Sequence, residues 1–83
     1  MPDERYPCPC CGFVTLTHEP PGSYDICPVC YWEDDPVQFN DPAYEGGANR
    51  VNLEQARTNF SAFGASEEVF LQHVRRPTEN ERP

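Results

Sequence analysis

The sequence predicts a small α+β domain: a β-hairpin carrying a four-cysteine metal site, packed against one or two C-terminal helices. Three observations predict it. Two Cys-x2-Cys pairs, Cys8/Cys11 and Cys27/Cys30, are separated by fifteen residues, within the spacing of paired metal-binding knuckles. A run rich in β-branched and aromatic residues, Phe13 to His18, lies between the pairs. One stretch of apolar residues at helical spacing follows, from Leu53 to Phe63.

Composition explains why a metal is needed. The chain has 83 residues, one domain's worth. Leu, Ile, Val and Phe together contribute only 15 of them, and the formal net charge is -8. A chain this short and this polar rarely folds unaided and usually needs disulfides, a metal or a partner. Its length excludes a barrel or a doubly wound catalytic sheet. No apolar run approaches the ~18 residues of a membrane span, so no membrane association is expected. The N-terminus has no basic segment followed by an apolar one, so no signal peptide is expected. Five cysteines, an odd number, suit a secreted disulfide framework poorly. A cytoplasmic protein with reduced, metal-available thiols is the reading that follows. All six basic residues are arginine. With 14 acids the surface should repel polyphosphate, and nucleic acid is disfavoured as a partner. The acid surplus reads first as a means of staying soluble and second as a surface for a basic protein partner; the chain is expected as a monomer or small homo-oligomer.

The cysteine pattern points to Cys8, Cys11, Cys27 and Cys30 as the metal ligands. A Cys-x2-Cys turn sets two thiolates on one side of a tight loop, and two such loops supply four ligands at ~2.3 Å. The expected frame is a zinc-ribbon-like hairpin. Pro9 and Pro28 pre-set the turns, and Gly12 supplies backbone freedom after the first pair. Four thiolates close the coordination shell, so the site reads as structural, and no catalytic residues are assigned. Zinc is the expected ion; iron is the runner-up, because Cys-Pro-x-Cys knuckles also serve rubredoxin-like electron carriers. Cys10 could replace Cys8 or Cys11, but Cys8 with Cys11 matches the second pair. It reads as a spectator thiol, the sharper alternative being a reactive cysteine beside the metal. That alternative, paired with His18, would need an orienting acid.

Along the chain, residues 1–7 read as a lead-in, 8–76 as the domain and 77–83 as a disordered tail. Phe13 to His18 is expected to pair with Tyr24-Asp25-Ile26 around the Pro/Gly turn. Val14 and Leu16 would share one face, with Phe13 and Thr15 on the other. A loop follows from Tyr31, with a short edge strand at Val37 to Phe39. The main helix starts at the N-cap Asn52, with Gln55 as capping-box partner, and stops at Gly64. Leu53, Ala56, Phe60 and Phe63 form its apolar face. Ser66 is expected to cap a second helix with Val69, Phe70, His73 and Val74 inward. Trp32 reads as cover for the metal site, and Glu33, Asp34 and Asp35 as solvent-facing acids. Asp34, Asp35 and Asp41 lack calcium-loop spacing. Gly46-Gly47-Ala48-Asn49 lacks the signature of a phosphate loop and reads as a turn.

At CPCCG, Thr15-Leu16, Tyr24-Asp25-Ile26, CPVCYWEDDPVQ, and GGAN followed by LEQARTNF, the chain resembles the cysteine-rich CPCC family of small bacterial proteins, over about Tyr6 to Arg76. The resemblance implies a zinc-ribbon-like, metal-binding domain. Its metal positions carry over as Cys8, Cys11, Cys27 and Cys30.

Overall fold

The computed structural model describes residues 4–83; Met1 to Asp3, the start of the expected lead-in, lie outside the described residues. The fold is small α+β: two short strands, two α-helices and two 3-10 turns.

Strand β1 (Tyr6–Pro7) pairs antiparallel with β2 (Val14–Leu16), Tyr6 opposite Leu16. The lead-in therefore contributes a strand, and the first cysteine knuckle is the hairpin turn. This corrects the expected pairing of Phe13–His18 with Tyr24–Ile26. The reason is local. The knuckle closes on itself through the Gly12 amide to the Cys8 carbonyl (2.8 Å) and the Cys8 amide to the Phe13 carbonyl (2.9 Å), which delivers Val14 back beside Pro7. Between the expected strands, Pro20 and Pro21 have no amide to donate. There, Asp25 Oδ2 instead accepts from the Thr17 hydroxyl (3.0 Å) and the His18 amide (3.1 Å). Tyr24–Ile26 pairs onward: Ile26 bridges Glu33, and backbone bonds join Tyr24 and Asp25 to Asp34. The expected split of faces is also replaced, since Thr15 and Leu16 are both buried.

Helix α1 (Pro36–Asn40) stands where an edge strand was expected. Asp35 caps it, its Oδ1 accepting from the Val37 amide (2.7 Å) and the Gln38 amide (3.2 Å). Pro36 at the first helical position has no donor to lose.

Helix α2 (Leu53–Phe63) forms as its pattern predicts. Asn52 Oδ1 accepts from the Gln55 amide at 2.7 Å, and Gly64 ends the helix at φ 96°. The Gln55 side chain does not return the cap; it donates to Asn59 Oδ1. Leu53 and Ala56 are fully buried and Phe60 is half-buried against Phe13, whereas Phe63 is exposed. The expected second helix shortens to a 3-10 turn at Glu68–Phe70. Ser66 does not cap it, because the cap position falls on Glu67; the Ser66 amide donates to the Cys30 carbonyl (2.8 Å) and its carbonyl accepts from Asn59 Nδ2 (2.8 Å). Val69 and His73 face outward, contrary to expectation, while Phe70 and Val74 are half-buried.

The segment expected as a disordered tail carries a second 3-10 turn, Glu79–Glu81, lying against β2. Glu81 is its anchor. Its carboxylate takes a two-point contact from Arg75 (2.9 and 2.7 Å) and a third bond from the Thr78 amide (2.9 Å). The Arg75 hydrogen bonds outweigh burial and hold its pKa down at about 2. A depressed folded pKa stabilises the protein above the ordinary value of 4.5, and that contribution is lost as pH falls through about 2. Glu81→Gln should cost about 1–2 kcal/mol, a figure reduced for the half-exposed Arg75. The loss should stay constant between about pH 6 and 8 in thermal melts, well above the titration.

Candidate metal centre

Both knuckles are one structure used twice, nineteen positions apart. The Gly12 amide donates to the Cys8 carbonyl (2.8 Å) and the Tyr31 amide to the Cys27 carbonyl (2.7 Å). The Cys8 amide donates to the Phe13 carbonyl, and the Cys27 amide to the Trp32 carbonyl. Two amides point at sulfur: Cys10 at Cys8 Sγ and Val29 at Cys27 Sγ, both at 3.4 Å. Gly12 sits at φ 81° and its counterpart Tyr31 at φ 70°. For tyrosine that left-handed backbone costs about 1–2 kcal/mol.

The two loops bring all four predicted sulfurs together, within 4.8 Å of one another. Cys8 and Cys30 are 3.5 Å apart, Cys11 and Cys27 3.7 Å. A tetrahedron with ~2.3 Å metal–sulfur bonds has edges of about 3.8 Å. Cys8, Cys27 and Cys30 are buried and Cys11 is half-buried. The cluster is the middle of the core: Leu16, Val29, Trp32, Leu53 and Ala56 pack with it. Four cysteines, all uncrosslinked, can thus hold one metal ion.

Electrostatics favours the same conclusion. As bare thiols the four cannot ionise together. Hydrogen bonds from Cys11, then Cys30 and Cys8, with the Thr15 hydroxyl 3.0 Å away, push the Cys27 thiol down in spite of its burial. Cys8 is pushed up by its bonds to Cys11 and Cys27, Cys11 by those to Cys27 and Cys30, and Cys30 first by the Cys10 thiol. Burial adds to each rise. Three of the thiols are held up and one down, where a divalent cation would support four thiolates.

Cys10 is buried, and the repeat sets it opposite Val29. It fills an apolar position with its amide directed at Cys8. Cys10→Val should therefore keep one metal per chain and move stability by about 1 kcal/mol or less. Elemental analysis and a thermal melt check both. Among the described residues no hydrogen bond joins Cys10 to His18. The orienting acid that His18 would require is nevertheless present, Asp25 at 3.1 Å.

The aromatic-acidic stretch after Cys30 divides. Trp32 is buried as expected. Asp34 and Asp35, expected in solvent, are buried too. Asp34 Oδ2 accepts from the Ser23 hydroxyl (2.7 Å) and amide (3.0 Å). Asp35 Oδ2 accepts from the Ala48 amide (2.8 Å); backbone donors at Ala48, Gln38 and Val37 overcome burial and keep its pKa low. Asp34, Asp35 and Asp41 do not assemble a cation site among the described residues.

Sequence reasoning missed the clasp that holds this frame. Gln38 is fully buried. Its Nε2 donates to the carbonyls of Tyr44 (3.2 Å), Asn49 (3.2 Å) and Val51 (3.1 Å), and its Oε1 accepts from the Asn49 amide (3.2 Å) and Nδ2 (2.9 Å). Asn49 in turn bonds both the amide and the carbonyl of Glu33 (2.9 and 2.8 Å). Gly47 passes so close that an added Cβ would lie 2.6 Å from the Gln38 side chain and 2.7 Å from Asp35 Oδ2. The Asp-Pro-Val-Gln and Gly-Gly-Ala-Asn segments are therefore two halves of one buttress behind the second knuckle.

No helix among the described residues is long and apolar enough to cross a membrane. No curated protein matches the chain. The family model for cysteine-rich CPCC proteins matches residues 6–81. That span takes in both knuckles, the buttress, α2 and the C-terminal turn, and on it the chain belongs to the cysteine-rich CPCC family.

Proposed function

We propose that the protein is a zinc-stabilised, non-enzymatic interaction module of the cytoplasm. The observation that carries the reading is the closed set of four sulfurs at tetrahedral spacing in the middle of the core. Cys8, Cys11, Cys27 and Cys30 would hold the ion, and the Cys10 and Val29 amides would soften the charge on sulfur. When bound, the ion supplies a cross-link rather than a reaction, because four protein ligands leave no position for water or substrate. The remaining polar residues support a frame: Gln38, Asn49, Asp34 and Asp35 are spent on backbone and hydroxyl groups. The surplus of acids favours a basic protein partner over nucleic acid.

Native mass spectrometry of freshly purified protein, with elemental analysis, tests the metal. One zinc per chain and a colourless sample are expected. One iron per chain with visible thiolate-to-iron absorption would replace this reading with an electron carrier. A pull-down that retained no protein would count against the interaction role.

A further inference from the structure

We infer that the outer face of the second knuckle is a receptor pocket for an arginine side chain of a basic partner. The inference rests on the interaction-module reading and gives that module its recognition site. Ile26, Tyr31, Glu33, Arg50, Glu67 and Phe70 line a cavity of about 200 Å³. That is smaller than the ~300–1,000 Å³ of sites for whole small molecules and suits one long side chain.

The walls match a guanidinium in two ways. Tyr31 packs against Phe70, centroids 4.8 Å apart, and against His73 at 5.4 Å. A planar cation is drawn to the outer surface of such a ring cluster, not between rings already in contact. Glu33 and Glu67 supply carboxylates. Glu33 is carried on backbone that Asn49 pins from both sides.

Glu67 is the pocket's second carboxylate, held by one long ion pair. The residue is only 9% exposed. Even so, its carboxylate makes no hydrogen bond among the described residues. Its ion-pair partner among the described residues is Arg50, Nε at 3.8 Å, on a side chain that is 82% exposed. A nearly buried carboxylate normally finds close donors. Arg50 pairs with it only at that distance, from an exposed side chain, and an incoming arginine would displace it.

The repeat adds a reason to look at Tyr31. The first knuckle uses glycine for this backbone angle, and the second carries an aromatic there instead. Tyr31→Gly therefore removes the ring while restoring the residue that the first knuckle already tolerates.

The test is an NMR titration of the metal-loaded full chain with a hexa-arginine peptide at about 0.15 M salt, against a hexa-citrulline control of the same shape without charge. Saturable shifts at Ile26, Tyr31, Glu33, Glu67 and Phe70 are expected with arginine only. Tyr31→Gly and Glu67→Gln should each weaken binding about tenfold with metal content intact. Arg50→Ala should strengthen it several-fold, because it removes the internal competitor. Shifts spread over the acidic surface and unmoved by Tyr31→Gly would overturn the pocket, as would weaker binding by Arg50→Ala. A metal-replete wild type with no saturable shifts sinks the pocket alone. Protein that carries no stoichiometric metal sinks the module reading instead.

Discussion

Stripping the metal with a strong chelator is expected to abolish the cooperative thermal transition and collapse the dispersed amide spectrum. Apparent binding energies of structural zinc in small modules are about 10 kcal/mol or more, larger than the margin of most domains this size. Four of the nine buried core residues here are cysteines. Without an ion Cys8, Cys27 and Cys30, with Cys11 beside them, become a knot of thiols, and Leu16, Val29, Trp32 and Leu53 are too few to close over it. Cys27→Ser should act like the chelator, since Cys27 takes contacts from Thr15, Val29 and Cys11 together. Circular dichroism and calorimetry before and after chelation measure the effect. Re-addition of one equivalent of zinc should restore it for the wild type but not for Cys27→Ser.

The second large effect is expected at the buttress. Gln38→Leu keeps the bulk of the side chain but removes three donated and two accepted bonds. The buried carbonyl of Asn49 and the partly buried ones of Tyr44 and Val51 would lose a donor, at about 1–3 kcal/mol for a buried group left unpaired. A total of about 3 kcal/mol or more is expected, less where water reaches the loop. Gly47→Ala attacks the same contact from the other side, forcing a methyl against groups with no room to move, and should cost about 2 kcal/mol. Combined, the two should lose less than the sum of the singles, because each breaks the same joint. Val37→Thr, on the exposed side of α1, serves as a control and should change stability by about 0.5 kcal/mol or less. Denaturant unfolding of metal-loaded protein gives all four values.

These effects divide along the line of what was legible in the sequence. The cysteine tetrad was legible because chelation geometry fixes the spacing of its ligands. Helix α2 was legible because Asn52, the Leu53–Ala56–Phe60 spacing and Gly64 are local signals that agree. The hairpin was assigned the wrong partner strand, because its pairing follows from backbone closure around Cys8 and not from side-chain alternation. Asp35-Pro36 did carry a helix-start signal, which the β-prone Val37 and Phe39 obscured. The bonds from Gln38 to Asn49 span eleven residues and have no periodic signature. The acids at 34 and 35 looked like solvent charges because nothing local tells of Ser23 or Ala48. Glu81 was placed in a tail by composition, although its partner Arg75 stands only six residues away.

The turn at Glu79–Glu81 has one more implication. It lies against β2, whose Val-Thr-Leu sequence is β-prone. A polypeptide ending at Arg76 would bare that flank, and bared strands recruit strands from neighbouring molecules. What the composition marks as a dispensable appendage is thus a guard against clumping, and shortened versions should precipitate before they misfold.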